Sequence, residues 1–288
     1  MLLNLREYHR PAAEGREPQA ALADALALLA RPGIRTVVLA GGDTLLASAD
    51  PTIEAVVDLQ GLGLDQLTFE SERGLLHIGA LVTRATLAAA EEATPLHRLL
   101  AQAARRWGGS VQRNRATVGG AAVVAADNDP LPAALLVCDA EILLAGRDGP
   151  RAVPYARFID QRAALLAAPA IVTGLRIATD RATTYALETV ARTPSDAPIV
   201  LAAAALAVHA GRCTRARLAL GGVAPAPLRM PSVEAALEGR APTAAAIADA
   251  AAQVAAQIAP AGDFRGSGEY RREMAVVLAR RALSQGRS

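Results

Sequence analysis

Between Thr183 and Val223 the chain carries three β-like runs: Thr183 to Val190, Ile199 to Ala207 and Thr214 to Val223. The turns between them are short. A parallel crossover needs a dozen or more residues, so runs this close predict an antiparallel sheet. Three helices are predicted after it, over Ser232 to Leu237, Thr243 to Ile258 and Ser267 to Leu283. In the second of these, Ile247, Ala251, Val254 and Ile258 form an apolar stripe. The first half reads differently, because helix and strand alternate there. Residues 18–31 (PQAALADALALLAR) predict a helix with Leu22, Leu26 and Leu29 on one face, stopped by Pro32-Gly33. Strands are predicted at Thr36 to Leu39, Val56 to Leu59, Leu64 to Glu70, Leu75 to Val82, Ala140 to Ala145 and Ile171 to Ile177. Helices are predicted at Arg84 to Glu92, Leu96 to Trp107 and Pro130 to Cys138, while Ser110 to Asn128 shows little periodicity. The order predicts an α+β protein of two packed domains. The first covers 1–178 as two α/β parts with a break near residue 60, and the second covers 179–288.

A chain of 288 residues can bury two modest cores, and 52% of it is hydrophobic, mostly Ala, Leu and Val. All thirty basic residues are arginine, scattered among 28 acids for a net charge of +2. A nucleic-acid surface needs a basic stripe with interleaved aromatics, and none is present. Cys138 and Cys213 stand alone, so they cannot supply the roughly four ligands of a zinc or iron–sulfur site. They read as buried free thiols of a reducing compartment. The first eleven residues lack an apolar signal-peptide core, and the Ala-rich run from Pro198 to Ala210 is too short to span a bilayer. The expectation is a soluble, cytoplasmic protein. His77 and His209 sit in β-like runs, and no Ser, Cys or His constellation for catalysis can be placed, so no catalytic residue and no metal ligand is assigned.

Two glycine pairs carry the chemistry. One is Leu39-Ala40-Gly41-Gly42-Asp43-Thr44-Leu45. The other lies in Arg113-Asn114-Arg115-Ala116-Thr117-Val118-Gly119-Gly120-Ala121. Paired glycines let the backbone turn with positive φ and approach a ligand closely. Successive N–H groups in such turns make anion-binding nests, and two nests could hold a pyrophosphate between them. Neither run matches the Rossmann or P-loop fingerprint.

With Asp129-Pro130-Leu131-Pro132, Ile78 to Thr83, Leu220 to Pro225, Pro227-Leu228-Arg229, and Asp263 to Ser267 with Tyr270-Arg271-Arg272, these runs resemble the FAD-binding subunits of the molybdenum hydroxylases, the xanthine dehydrogenase and carbon monoxide dehydrogenase family. The matches extend from about residue 35 to 283 in the family's order. The resemblance implies a two-part FAD-binding α/β domain of the PCMH type. A smaller domain follows, with a three-stranded antiparallel sheet and a helical bundle. It implies FAD as cofactor, bound in extended form. Leu39 to Leu45 would line its phosphates, and Thr117, Val118, Gly119, Gly120 and Ala121 would do so from the other side, with the Thr117 hydroxyl as a donor. Asp129 would accept from FAD hydroxyls; it also reads as a helix N-cap before Pro130. The implied partners are a large molybdopterin-binding subunit and a small [2Fe-2S] subunit, in a dimer of heterotrimers. Electrons would pass from the iron–sulfur clusters through FAD to an external acceptor.

Some positions depart from the family pattern. Asp43 stands one place closer to the glycines than the usual acid, Ala47-Ser48-Ala49-Asp50 replaces a basic stretch, Ala121 replaces an Asn, and Glu188 occupies a frequent Lys position. Two other functions remain open on the sequence. One is a scaffold subunit of the same complex that has lost FAD. The other is a free-standing flavin reductase of related fold, against which the second-domain match speaks.

Overall fold

The computed structural model describes residues 4–15, 17–91, 94–180, 182–193 and 196–286. The predicted end of a helix at Glu92 and the first three residues of the N-terminus lie outside them. In chain order the elements begin β1 (Glu7–His9), α1 (Pro18–Leu29), β2 (Thr36–Leu39), α2 (Asp43–Ser48), β3 (Ala55–Asp58), β4 (Leu67–Glu70) and β5 (Leu75–Gly79). Five helices follow: α3 (Arg84–Ala89), α4 (Pro95–Arg105), α5 (Ser110–Arg115), α6 (Val118–Val124) and α7 (Pro130–Val137). Then come β6 (Glu141–Gly146), β7 (Gly149–Pro154), α8 (Tyr155–Leu165) and β8 (Ala170–Ala178). The chain continues with β9 (Thr183–Val190), β10 (Val200–His209), β11 (Arg212–Gly221) and β12 (Leu228–Arg229). It closes with α9 (Pro231–Leu237), α10 (Ala244–Ala252), α11 (Val254–Gln257) and α12 (Gly268–Gln285). Two compact units result: Met1–Arg84 with Ser110–Val123 and Glu141–Ile177, and Ala85–Gly109 with Val124–Ala140 and Ala178–Ser288.

The first unit holds two sheets. One is parallel, in the order β1-β3-β2, so β3 is central and β2 is an edge. Ala21 and Ala25 of α1 are fully buried in one cluster with Val57 and Leu59. The small side chains let the helix lie close on the strand. The second sheet has the order β4-β5-β8-β6-β7. Its last strand, Gly149–Pro154, carries Pro150 and Pro154 and escapes a sequence reading for that reason. Proline removes a ladder donor, and the strand is viable because it is the sheet's edge. The weakly periodic stretch after Gly109 forms the two short helices α5 and α6.

The second unit is built on the antiparallel sheet β12-β11-β10-β9, with three long strands and the two-residue β12. Strand β10 is buried along Val200 to Ala207 without alternation. Val200, Ala202, Ala204 and Leu206 share a core cluster with residues of α9, α10 and α12. The intervening Leu201, Ala203 and Ala205 are buried as well, and α7 packs on the same strand. A strand covered on both faces needs a continuous apolar run, and alanine keeps the helical layers close. The predicted helix at 243–258 breaks at Gln253 into α10 and α11, yet Ile247, Ala251, Val254 and Ile258 are all buried.

A polar network in this unit centres on Asp139. Asp139 receives Arg215 at 2.7 Å, Arg217 at 3.0 Å and Arg229 at 2.9 Å, and Arg229 also grips Glu234 at 2.7 Å. Partial burial pulls the Asp139 carboxyl upward, but the hydrogen bonds from the three guanidiniums outweigh it and hold the group below its ordinary value. A depressed folded value means stability that is present above the ordinary carboxylate range, near pH 4, and lost as pH falls below it. Asp139→Asn keeps the left-handed backbone (φ 47°) accessible and removes the charge. Because the side chain is 40% exposed, the expected loss at neutral pH is only about 1 kcal/mol. Urea melts at pH 7 and pH 3 check this: the gap between variant and parent should close in acid.

Candidate functional site

Strand β2 is half-exposed at all four residues, whereas the adjoining β3 is buried at all four. The edge strand therefore leaves one open side at the point where it feeds Ala40-Gly41-Gly42. Gly42 adopts φ 73° and turns the chain into α2, which has no side-chain cap. The first bond made there is Leu46 N–H to Gly42 O at 3.0 Å. The amides of Asp43, Thr44 and Leu45 thus have no acceptor within the helix. Leu39, Ala40, Gly41, Gly42, Asp43 and Leu45 are half-buried and Thr44 is exposed.

The second glycine run is not a free loop. Ala116 O accepts from Arg84 N at 2.9 Å, Val118 N donates to Val82 O at 2.8 Å, and Gly119 N donates to Ala80 O at 2.9 Å. Gly120 N donates to the Thr117 hydroxyl oxygen at 3.1 Å, and Ala121 N donates to Thr117 O at 3.0 Å. The amides of residues 118–121 are therefore engaged inside the protein. The Thr117 oxygen accepts one of them and keeps its own proton to donate. A Cβ on Gly119 would stand 2.7 Å from the Ala80 Cβ. The glycine is needed so that α6 can seat on the turn after β5. The Ile78-to-Thr83 run and the second glycine run are thus two sides of one contact.

The two glycine runs meet. A Cβ on Gly41 would lie 1.7 Å from Arg115 O and 3.3 Å from the Thr117 Cγ2. Gly41 is a glycine because another backbone occupies the place of its side chain. Asp129 belongs to the second unit. It is 2% exposed and caps α7, accepting from Leu131 N at 3.0 Å ahead of Pro130. Sequence reasoning assigned nothing to Arg115, although the residue lies inside the quoted run. Only the backbone contact with Gly41 singles it out.

The residues present fit a dinucleotide phosphate. Amides without an acceptor in their helix follow a left-handed glycine beside a half-exposed apolar edge strand, with a threonine hydroxyl close by. Among the described residues no three of His, Cys, Asp or Glu gather as a metal site, and both cysteines are buried and free. Burial pushes both thiols up.

Comparison with known proteins gives the family. Residues 17–179 match the family described as "FAD binding domain in molybdopterin dehydrogenase", and residues 185–285 match "CO dehydrogenase flavoprotein C-terminal domain". The chain is 31% identical to the carbon monoxide dehydrogenase medium chain of Afipia carboxidovorans, covering 98% of this chain and 96% of that one. It is 29% identical to the glyceraldehyde dehydrogenase medium chain of Sulfolobus acidocaldarius over 65% of this chain and 67% of that one. The structure of carbon monoxide dehydrogenase from Hydrogenophaga pseudoflava superposes with a TM-score of 0.86 at 29% identity, over 99% of this chain and 98% of that one. The chain belongs to the family of FAD-binding medium subunits of the molybdopterin dehydrogenases.

Proposed function

We propose that this chain is the electron-transfer flavoprotein subunit of a molybdenum hydroxylase complex. The carrying observation is the pinned pair of glycine runs in the first unit, set in a chain that aligns end to end with a carbon monoxide dehydrogenase medium chain. In this reading FAD takes electrons from [2Fe-2S] clusters on a small subunit and passes them to an external acceptor. Substrate chemistry belongs to a large molybdopterin-binding subunit. The relatives include a carbon monoxide and a glyceraldehyde dehydrogenase medium chain, so no substrate is assigned to this chain from them. The complex would be a dimer of heterotrimers in the cytoplasm; among the described residues no helix is long and apolar enough to cross a membrane.

FAD supplies the capacity to accept electrons singly or in pairs. The protein positions it. Leu39, Ala40, Gly41, Gly42, Asp43, Thr44 and Leu45 would face the phosphates through their backbone, in the domain formed by residues 1–178. Thr117 would add its hydroxyl, and Val118, Gly119, Gly120 and Ala121 would hold the frame behind it. Asp129 would accept from FAD hydroxyls while capping α7.

The test is a visible absorption spectrum of the purified chain, alone and co-expressed with its large and small subunits, with the released flavin identified. About one FAD per chain is expected, as for a resident cofactor whose Kd lies far below its working concentration. Absence of flavin from the co-expressed complex, even after soaking in FAD, would replace this reading with a scaffold subunit.

A further inference from the structure

We propose that the Arg115 guanidinium is the counter-charge for the FAD pyrophosphate. The proposal rests on the flavin reading above and names one further residue of that site. The requirement comes first. A pyrophosphate at residues 39–45 would bring about two negative charges to a run that contains no cation and already carries the half-exposed carboxylate of Asp43. Like charges a few ångströms apart oppose binding even at the screened dielectric of a protein surface. Amides supply only partial charges, so a full cation close by would offset the Asp43 carboxylate and strengthen the site.

The structure narrows the choice. The arginines flanking β2 are engaged elsewhere: Arg31 pairs with Glu7 at 2.7 Å, and Arg35 pairs with Asp50 at 2.9 Å. In the second glycine run the amides of residues 118–121 are bonded inside the protein. Arg115 differs on both counts. Its carbonyl lies where a Gly41 Cβ would be, so its backbone is fixed against the phosphate run itself. Its side chain is exposed and makes no hydrogen bond or ion pair among the described residues. A guanidinium in that position offers several donors to phosphate oxygens without first breaking another contact.

The experiment is a titration of the full-length apoprotein with FAD, read by quenching of flavin fluorescence, at two sodium chloride concentrations. Arg115→Ala is expected to weaken binding by about tenfold or more, as befits the loss of one charge-assisted contact. Its affinity should also depend less steeply on salt than the parent's. Arg115→Lys should recover most of the affinity. Asp43→Asn should tighten binding in both backgrounds. Far-UV circular dichroism should be unchanged in every variant, since neither side chain is buried. An Arg115→Ala protein that binds FAD within twofold of the parent, with the same salt dependence, overturns the proposal while leaving the flavin reading intact. A parent chain that binds no FAD, either alone or co-expressed with its large and small subunits, overturns both.

Discussion

Gly41→Ala is expected to leave the purified protein nearly free of flavin. The added Cβ would stand 1.7 Å from Arg115 O and 2.7 Å from the Arg115 carbonyl carbon, and both are backbone atoms that cannot rotate away. One of the two glycine runs must therefore move, and overpacking of this kind costs about 3 kcal/mol. Carried into binding, that is a loss of roughly a hundredfold in affinity. Two neighbours calibrate the result. Gly42→Ala forces an L-residue to φ 73° and should cost about 1–2 kcal/mol through backbone strain. Gly120→Ala meets only the Thr117 hydroxyl at 3.0 Å, so a small adjustment suffices and flavin should largely remain. The ranking Gly41, Gly42, Gly120 separates steric contact from mere glycine content. The flavin-to-protein absorbance ratio of each variant reads it directly. Full flavin in Gly41→Ala would mean that the two runs are not in contact in solution.

The layout of the second unit was legible because β10 and its neighbours are long, apolar and closely spaced, and those are the signals a sequence carries best. Strand β7 was not, because its prolines argue locally for a loop and only its edge position in the sheet makes them tolerable. Three-residue β1 is too short for any periodicity and exists because it pairs with β3 in register Tyr8 to Val56. At the site, both glycine runs are legible as paired glycines among β-like residues, but the division of labour between them is not. From the sequence each looks like a nest. In the fold one keeps amides without helical acceptors, and the other has bonded its amides to the chain that crosses beneath it. That difference depends on Ala80 and Val82, which lie more than thirty residues away in sequence. Asp129 shows the reverse case, since its capping of α7 follows from the local Asp-Pro pattern alone.

Arg271→Met is expected to produce the largest loss of stability in the second unit. Arg271 is 3% exposed on α12. Its Nη1 donates to Ile199 O at 2.8 Å and to Gly222 O at 2.9 Å, and its Nη2 meets Asp263 Oδ1 at 2.7 Å. One side chain thus ties the closing helix to the chain entering β10 and to the turn after β11. Methionine fills much of the volume but leaves both carbonyls without that donor, at about 1–3 kcal/mol each. Arg271→Lys should fall between, because a single ammonium lacks the planar fork that reaches two carbonyls and a carboxylate together. Asp263→Asn spares the carbonyl bonds and should be the mildest at neutral pH. Asp263 also accepts from Arg265 N at 2.9 Å. The Arg271 hydrogen bond, with help from Arg265, holds its carboxyl well below the ordinary carboxylate range. A depressed value means stability present above about pH 4 and lost as pH falls further, so Asp263→Asn should flatten the acid limb of the stability curve. Urea melts of the three variants at pH 7 and pH 3 test the order. An Arg271→Met protein as stable as its parent would show that the helix and the sheet hold together without this clamp.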